Sequence, residues 1–300
     1  MTEVETASHI SSAENGGQAL RRRWSRRLSS GKHIVRIYWP AILLTVSGVA
    51  FYLWALDMID EERVSGYSHK QDWAIYIAIA LFGLHFIVRM QLACIPAMAS
   101  LPDFDRLRWP SLRTTAISTG EILRAVFLHT LTYNVLILGL LGLLGLLIAG
   151  GLVYAEEGQT FWTDIELQDV IYSLLGYSAV GLSLSGLGFI TSFKWDKPIA
   201  VIGGVFIPVI LLILIGAAMF MRSSLWGYYD QGSSLYPVDV LTMLVAPEVY
   251  VLMGLSGGEV DLPSGIRISV IVWMLIEILI AFIIWQFVGI ALTFKRAADK

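Results

Sequence analysis

Apolar residues run along this chain in long uninterrupted blocks, parted by short polar stretches. Six blocks have the roughly 20 residues that a helix needs to cross a bilayer: 37–56, 73–95, 125–154, 169–192, 198–221 and 267–293. Barrel strands would instead alternate over segments of about ten residues, so continuous hydrophobicity predicts helices. The block "VDVLTMLVAPEVYVLMGL" at 238–255 is shorter, and Pro247 interrupts it. It reads as a re-entrant or surface-lying hairpin, because a seventh crossing would put the two termini on opposite sides. The expected fold class is therefore an all-α integral membrane protein with six transmembrane helices and cytoplasmic termini. An inner loop spans 96–124, and an outer loop over 222–266 holds the hairpin before the last span. The expected domains are a disordered and basic amphipathic region at 1–36, the transmembrane domain at 37–293 and a cytoplasmic tail at 294–300.

Composition agrees with this outline. Of the 300 residues, 56% are hydrophobic and 15% are charged, and the mean hydropathy is +0.68. Soluble domains carry about 25% charged residues, so lipid must cover much of this surface. Lysine and arginine concentrate in cytoplasmic loops. Placing the amino terminus inside puts 17 of the 21 basic residues on the inner side, leaving Arg63, Lys70, Arg222 and Arg267 outside. The outer loops "DMIDEER" and "AEEGQTFWTDIELQD" are acidic instead. The expected location is the plasma (inner) membrane. A single cysteine, Cys94, excludes an internal disulfide.

Residues 1–20 are polar and predicted to be disordered. "RRRWSRRL" at 21–28 follows. With Trp24, Leu28 and Ile34 it forms a basic helix suited to the inner leaflet, where each basic residue near anionic lipid adds about 1 kcal/mol. Its likeness to a twin-arginine export signal is superficial, because the apolar stretch is long and further spans follow.

No G-x-x-x-x-G-K-[ST] phosphate loop, H-E-x-x-H or C-x-x-C occurs. Nor does the sequence display polar residues at matching depths in several spans, as a membrane enzyme would. A few polar groups do lie within spans. Glu277 sits near the middle of the last one, where a carboxylate costs about 2–3 kcal/mol or more unless protonated or paired. It is either a group that contacts protons or substrate, or a helix-packing contact. His85 and Arg89 share a face near the inner end of span two, from which Arg89 can snorkel to the headgroups. His129, Tyr133 and Asn134 lie at the start of span three. Gly181, Ser185 and Gly188 line one side of span four, and Gly142, Gly145, Gly203 and Gly204 occur in spans three and five. Such small residues allow close helix packing.

The inner loop carries the most specific pattern. Pro102 and Pro110 break the chain, and Asp103, Asp105, Arg106, Arg108 and Arg113 keep the intervening segment in water or at the interface. Ser118 and Glu121 have the spacing of a capping box, so a helix starts at the membrane surface and continues into span three. A polar element fused to a long helix can carry a push from a cytoplasmic partner into the bilayer.

The segment "WPSLRTTAISTGEIL" at 109–123 resembles the inner loop of ABC-2-type exporter permeases through Trp109, Leu112, Thr115, Ile117, Ser118, Glu121, Ile122 and Leu123. Six spans, inner termini, a basic amino-terminal surface helix and a broken hairpin before span six are also similar to that family. Ala116 stands where the family has proline, and Arg124–Ala125 where glycine–lysine is common. Asp105–Arg106 echoes an upstream Glu-Arg pair loosely.

The resemblance implies two permease subunits, identical or different, with two separate ATPase subunits that hold ATP and Mg. This chain is then no enzyme, binds no cofactor itself and touches lipid rather than nucleic acid. The resemblance assigns coupling to the ATPase to Asp105, Arg106, Arg108, Trp109, Arg113, Thr115, Ser118 and Glu121. It places the export path along spans two and five; span five is apolar and kinked at Pro208, which suits a hydrophobic or lipid-like cargo. Two other readings stay open. One is a non-transporting scaffold or accessory subunit, favoured by Ala116 and Arg124. The other is an ion-coupled carrier or membrane enzyme built around Glu277.

Overall fold

The computed structural model of the protein describes residues 3–28, 31–62, 70–104, 109, 117–157, 167–195, 197–225, 259–261 and 267–298. Within them the chain is almost entirely helical. The helices are α1 (Glu3–Leu28), α2 (Gly31–Glu62), α3 (Lys70–Phe104), α4 (Thr119–Tyr133), α5 (Gly139–Glu157), α6 (Leu167–Trp195), α7 (Pro198–Leu225) and α8 (Val270–Ala298). A π-helical turn, Asn134–Leu138, joins α4 to α5. One short antiparallel ladder pairs β1 (Glu259–Asp261) with β2 (Arg267–Ser269) just before α8. The hairpin expected at 238–255 lies outside the described residues, as do Asp105, Arg106, Arg108, Arg113 and Thr115 of the inner loop.

Five stretches are long and apolar enough to cross a membrane: Tyr38–Ala55, Tyr76–Phe104, Thr119–Ile148, Val170–Trp195 and Ile271–Ala298. The sixth expected span falls in α7, whose apolar run among described residues is Pro198–Leu211. Large apolar side chains face outward in numbers that water would not tolerate, among them Trp39, Val46 and Leu53 of α2 and Leu279, Phe282 and Phe287 of α8. The protein is an integral membrane protein on these grounds.

Three elements differ from the sequence expectation. First, the chain is helical from Glu3, through the stretch predicted to be disordered. Trp24 is fully buried and Leu20 nearly so, so the helix has a protein partner that composition does not reveal. Second, α3 passes through Pro96 and Pro102 to end at Phe104, where the sequence predicts a break. Side chains relieve this end: Ser100 Oγ donates to Ala97 O (2.9 Å), and Arg27 Nη1 donates to Ala99 O (2.7 Å), in a turn that Pro102 deprives of an amide donor. Third, span three is interrupted by the π turn, which carries the buried Asn134.

Helix packing relies on small residues, as expected from span four. α8 packs most extensively on α6, where Gly176 makes room for the Trp273 ring; a Cβ there would fall against it. On other faces of α6, Gly181 admits Leu138 of the π turn, and Gly188 admits Val201 and Val205 of α7 at 3.2 and 3.3 Å from an added Cβ. Two apolar clusters result. One surrounds Trp24, Phe104, Trp109, Phe189 and Trp285; the other, between α2, α3 and α5, surrounds Leu44, Phe51, Leu144 and Ile148.

Candidate functional site

Five helix ends meet at one end of the bundle. They are the carboxyl half of α1, the last turns of α3, α6 and α8, and the start of α4. At their centre lies Asp103, 2% exposed, read from sequence as a group that keeps the loop in water. Its Oδ2 accepts from Trp24 Nε1 (2.8 Å) and Arg27 Nη1 (2.8 Å), and its Oδ1 from Arg27 Nη2 (3.0 Å) and Arg23 Nη1 (3.2 Å). The two-pronged Arg27 contact fixes both distance and angle. Trp24, expected to sit in the leaflet, instead stands between Phe104 (centroids 6.4 Å apart) and His129 (5.6 Å).

The start of α4 is built as its sequence predicts. Ser118 Oγ accepts from the Glu121 amide (3.2 Å), while Glu121 Oε2 accepts from the Ser118 amide (2.6 Å), completing the capping box. Arg296 of α8 donates to Thr119 Oγ1 (2.9 Å), and Lys295 donates to Phe193 O (2.9 Å). The Lys295 ammonium also lies 5.9 Å from the ring centre of Trp109, a buried residue that packs on Phe104. A chain of rings continues inward from Phe104 to Phe193 (4.8 Å), Phe189 (6.0 Å) and Trp285 (5.9 Å), and then to Phe127 of α4 (5.0 Å). Close packing of this kind transmits strain from one ring to the next.

A second polar group lies deeper. Arg89 is 1% exposed, with its guanidinium 5.3 Å from the Phe86 ring centre and 5.7 Å from that of Tyr177. It sits about 22 Å along α3 from Phe104, enclosed by protein side chains. Glu277 of α8 is 1% exposed, one turn from Trp273 and within range of the Arg89 charge. His85 Nε2 lies 2.8 Å from Leu141 O, and its ring is 5.9 Å from Tyr177; Gly145 permits this approach, since a Cβ would lie 3.2 Å from Nε2. Nearby in the bundle, Ser185 Oγ donates to Ala93 O (2.8 Å) and accepts from Asn134 Nδ2 (3.4 Å). A π turn bearing a buried polar side chain is a common functional feature.

The structure thus gathers His85, Arg89, Tyr177 and Glu277 from α3, α6 and α8, although the sequence shows no polar set at matching depth. Tyr177 was hidden because a tyrosine in an apolar run carries no signal of its own. His129 lies against Trp24, and Asn134 against Ser185. Asp103, Trp24 and Arg27 form the main unforeseen site. Comparison with known proteins finds no matching family model, no matching curated protein and no matching solved structure.

Proposed function

We propose that this chain is the permease subunit of an ATP-driven exporter of the ABC-2 type, with both termini in the cytoplasm. A separate ATPase would dock where α1, Trp109, α4 and α8 meet. The observation that carries this reading is the mechanical continuity of that end. Trp109 belongs to the segment that resembles the coupling loop, and it is wedged between Phe104 and Lys295. The capped start of α4 is tied to α8 through Arg296 and Thr119. A push on residues 105–116 would therefore reach α3, α4 and α8 together, and through α4 the π turn at Asn134. The cargo is hydrophobic or lipid-like, and a second permease subunit completes the path. Isolation of the full-length chain in native lipid discs tests the reading. The expected result is a stoichiometric nucleotide-hydrolysing subunit that is lost on charge reversal of Arg106 and Arg113. Stable complexes devoid of such a subunit would favour a scaffold.

The buried Arg89, Tyr177 and Glu277 favour a second reading, an ion-coupled carrier. In that case Glu277→Gln abolishes uptake or release in reconstituted vesicles while assembly stays intact, and no ATPase is needed.

A further inference from the structure

Between Val270 and Leu292 the last span carries two side chains with an amide or carboxyl group, Glu277 and Gln286. Glu277 turns into the bundle, whereas Gln286 is exposed on the outer face of α8. Its neighbours one turn away on that face, Phe282, Ile283 and Ile290, are exposed as well, so lipid tails surround it. Arg296, bonded to Thr119 at the capped start of α4, marks the inner end of the span. Gln286 lies ten residues deeper, about 15 Å along the helix, or half of the roughly 30 Å hydrocarbon core. A glutamine is too short to reach either headgroup layer from there, and hydrocarbon offers it no partner. Among the described residues its amide makes no hydrogen bond.

The surface beside it is shaped for a close neighbour. A groove of about 540 Å³ runs between α4 and α8, from Gln286 to Ala297. Its α8 wall is a ridge of small residues spaced by four, Gly289, Thr293 and Ala297, and its α4 wall holds Gly120 and Leu123. A Cβ added to Gly120 would meet nothing within 4 Å, so that wall is open. The Thr293 hydroxyl donates to Gly289 O (2.8 Å), and the Thr119 hydroxyl accepts from Arg296. The Gln286 amide is thus the polar group in the groove that wants a partner. Among the described residues no charged side chain lines this space. Small ridges let two membrane helices approach until a polar side chain of one reaches the other.

Symmetry selects the occupant. Two copies of one chain share an orientation in the membrane, so a two-fold axis relating them runs along the membrane normal. Equivalent residues then meet at equal depth. An amide both donates and accepts, so one Gln286 can satisfy another, and an uncharged ridge packs on its own image without repulsion. We propose that this face of α8 is a self-association surface, on which a second copy of the chain packs its Gly289–Ala297 ridge and pairs Gln286 with Gln286 across the axis. α7 and α8 lie on different faces of α6, at Gly188 and Gly176, so the contact leaves the α7 side of α6 untouched. It goes beyond the exporter reading and does not depend on it.

The test uses the full-length chain, labelled at its carboxyl terminus with donor or acceptor dyes, in phosphatidylcholine vesicles of rising lipid-to-protein ratio. Energy transfer is expected to report a dimer that dissociates on dilution in lipid. Gln286→Leu, an outward-facing change, is expected to weaken that dimer by about three- to thirtyfold, the range for hydrogen bonds between membrane helices. Gln286→Asn keeps the amide and is expected to retain most of the affinity. Gly120→Leu, which fills the open wall, is expected to weaken association while the chain's thermal melting is unchanged. Ile290→Cys, one turn from Gln286, is expected to give a disulfide-linked dimer under mild oxidation, and Val46→Cys, also exposed but on α2, is not. A chain that stays monomeric at every dilution would overturn the proposal. So would a dimer indifferent to both Gln286→Leu and Gly120→Leu. Capture of Ile290→Cys in native membranes only by a different membrane protein would overturn it in favour of a foreign helix.

Discussion

Substitution of Asp103 by alanine tests how α1 is held. The carboxylate is 2% exposed and accepts from Trp24, Arg27 and Arg23. Removing one partner of a buried, hydrogen-bonded ion pair costs about 3–5 kcal/mol. Arg27 retains 27% exposure of its side chain and recovers part of its hydration, which sets the cost near the lower bound, about 3 kcal/mol. Arg23 is 60% exposed, and exposed pairs contribute about 0–1 kcal/mol. The loss falls on the docking of α1 rather than on the bundle, since among the described residues the side chains that hydrogen-bond to Asp103 all come from α1. At 1.36 kcal/mol per decade, a loss of about 3 kcal/mol raises the open population of α1 roughly 150-fold. Amide hydrogen exchange of the full-length chain in lipid discs reads this directly. In Asp103→Ala, amides of residues 18–28 should exchange about two decades faster while those of α6 stay unchanged. Arg23→Ala should shift the same amides by no more than about fivefold. Equal effects of the two substitutions, or none from Asp103→Ala, would refute the clamp and leave lipid as what holds α1.

Three further predictions concern the bundle. Gly176→Ala drives a Cβ into the Trp273 ring and should lower stability by about 1–3 kcal/mol in a thermal or denaturant melt. Gly83→Ala, with nothing within 4 Å, should be neutral or stabilising by up to about 1 kcal/mol; a matching loss at both would contradict the packing described. Glu277→Gln and Arg89→Gln should each destabilise the protein, yet the double substitution should cost at least about 1 kcal/mol less than their sum, and strict additivity would separate the two groups. Ser118→Ala removes the side-chain cap of α4 and should cost about 1 kcal/mol of local helix stability, seen as faster exchange confined to residues 119–122.

The sequence made the spanning helices legible because apolar length is a local property that needs no knowledge of neighbours. The Ser118–Glu121 cap was legible for the same reason, since both partners lie within one turn. The small-residue face of α6 was readable as a packing surface, and Gly181, Ser185 and Gly188 each meet a neighbouring element. What could not be read was any pairing across many residues. Trp24 and Asp103 are 79 positions apart, and each alone resembles an interfacial residue. Arg89 was read as able to reach the headgroups because snorkelling is the cheapest fate of an isolated arginine. The Phe86 and Tyr177 rings and the Glu277 charge provide another. Pro102 was read as a helix end, because nothing local announces that Arg27 will satisfy the last turns of α3.

The central claim is that residues 105–116 receive force from a nucleotide-hydrolysing neighbour and pass it into α3, α4 and α8. A photo-cross-linking amino acid placed at Arg113 in the full-length chain, activated in intact membranes, tests it most directly. The account predicts one dominant adduct, with a cytoplasmic ATP-binding subunit, whose yield changes when nucleotide is trapped on that subunit. Adducts only with lipid or with proteins of the opposite compartment, or an adduct indifferent to nucleotide, would contradict it.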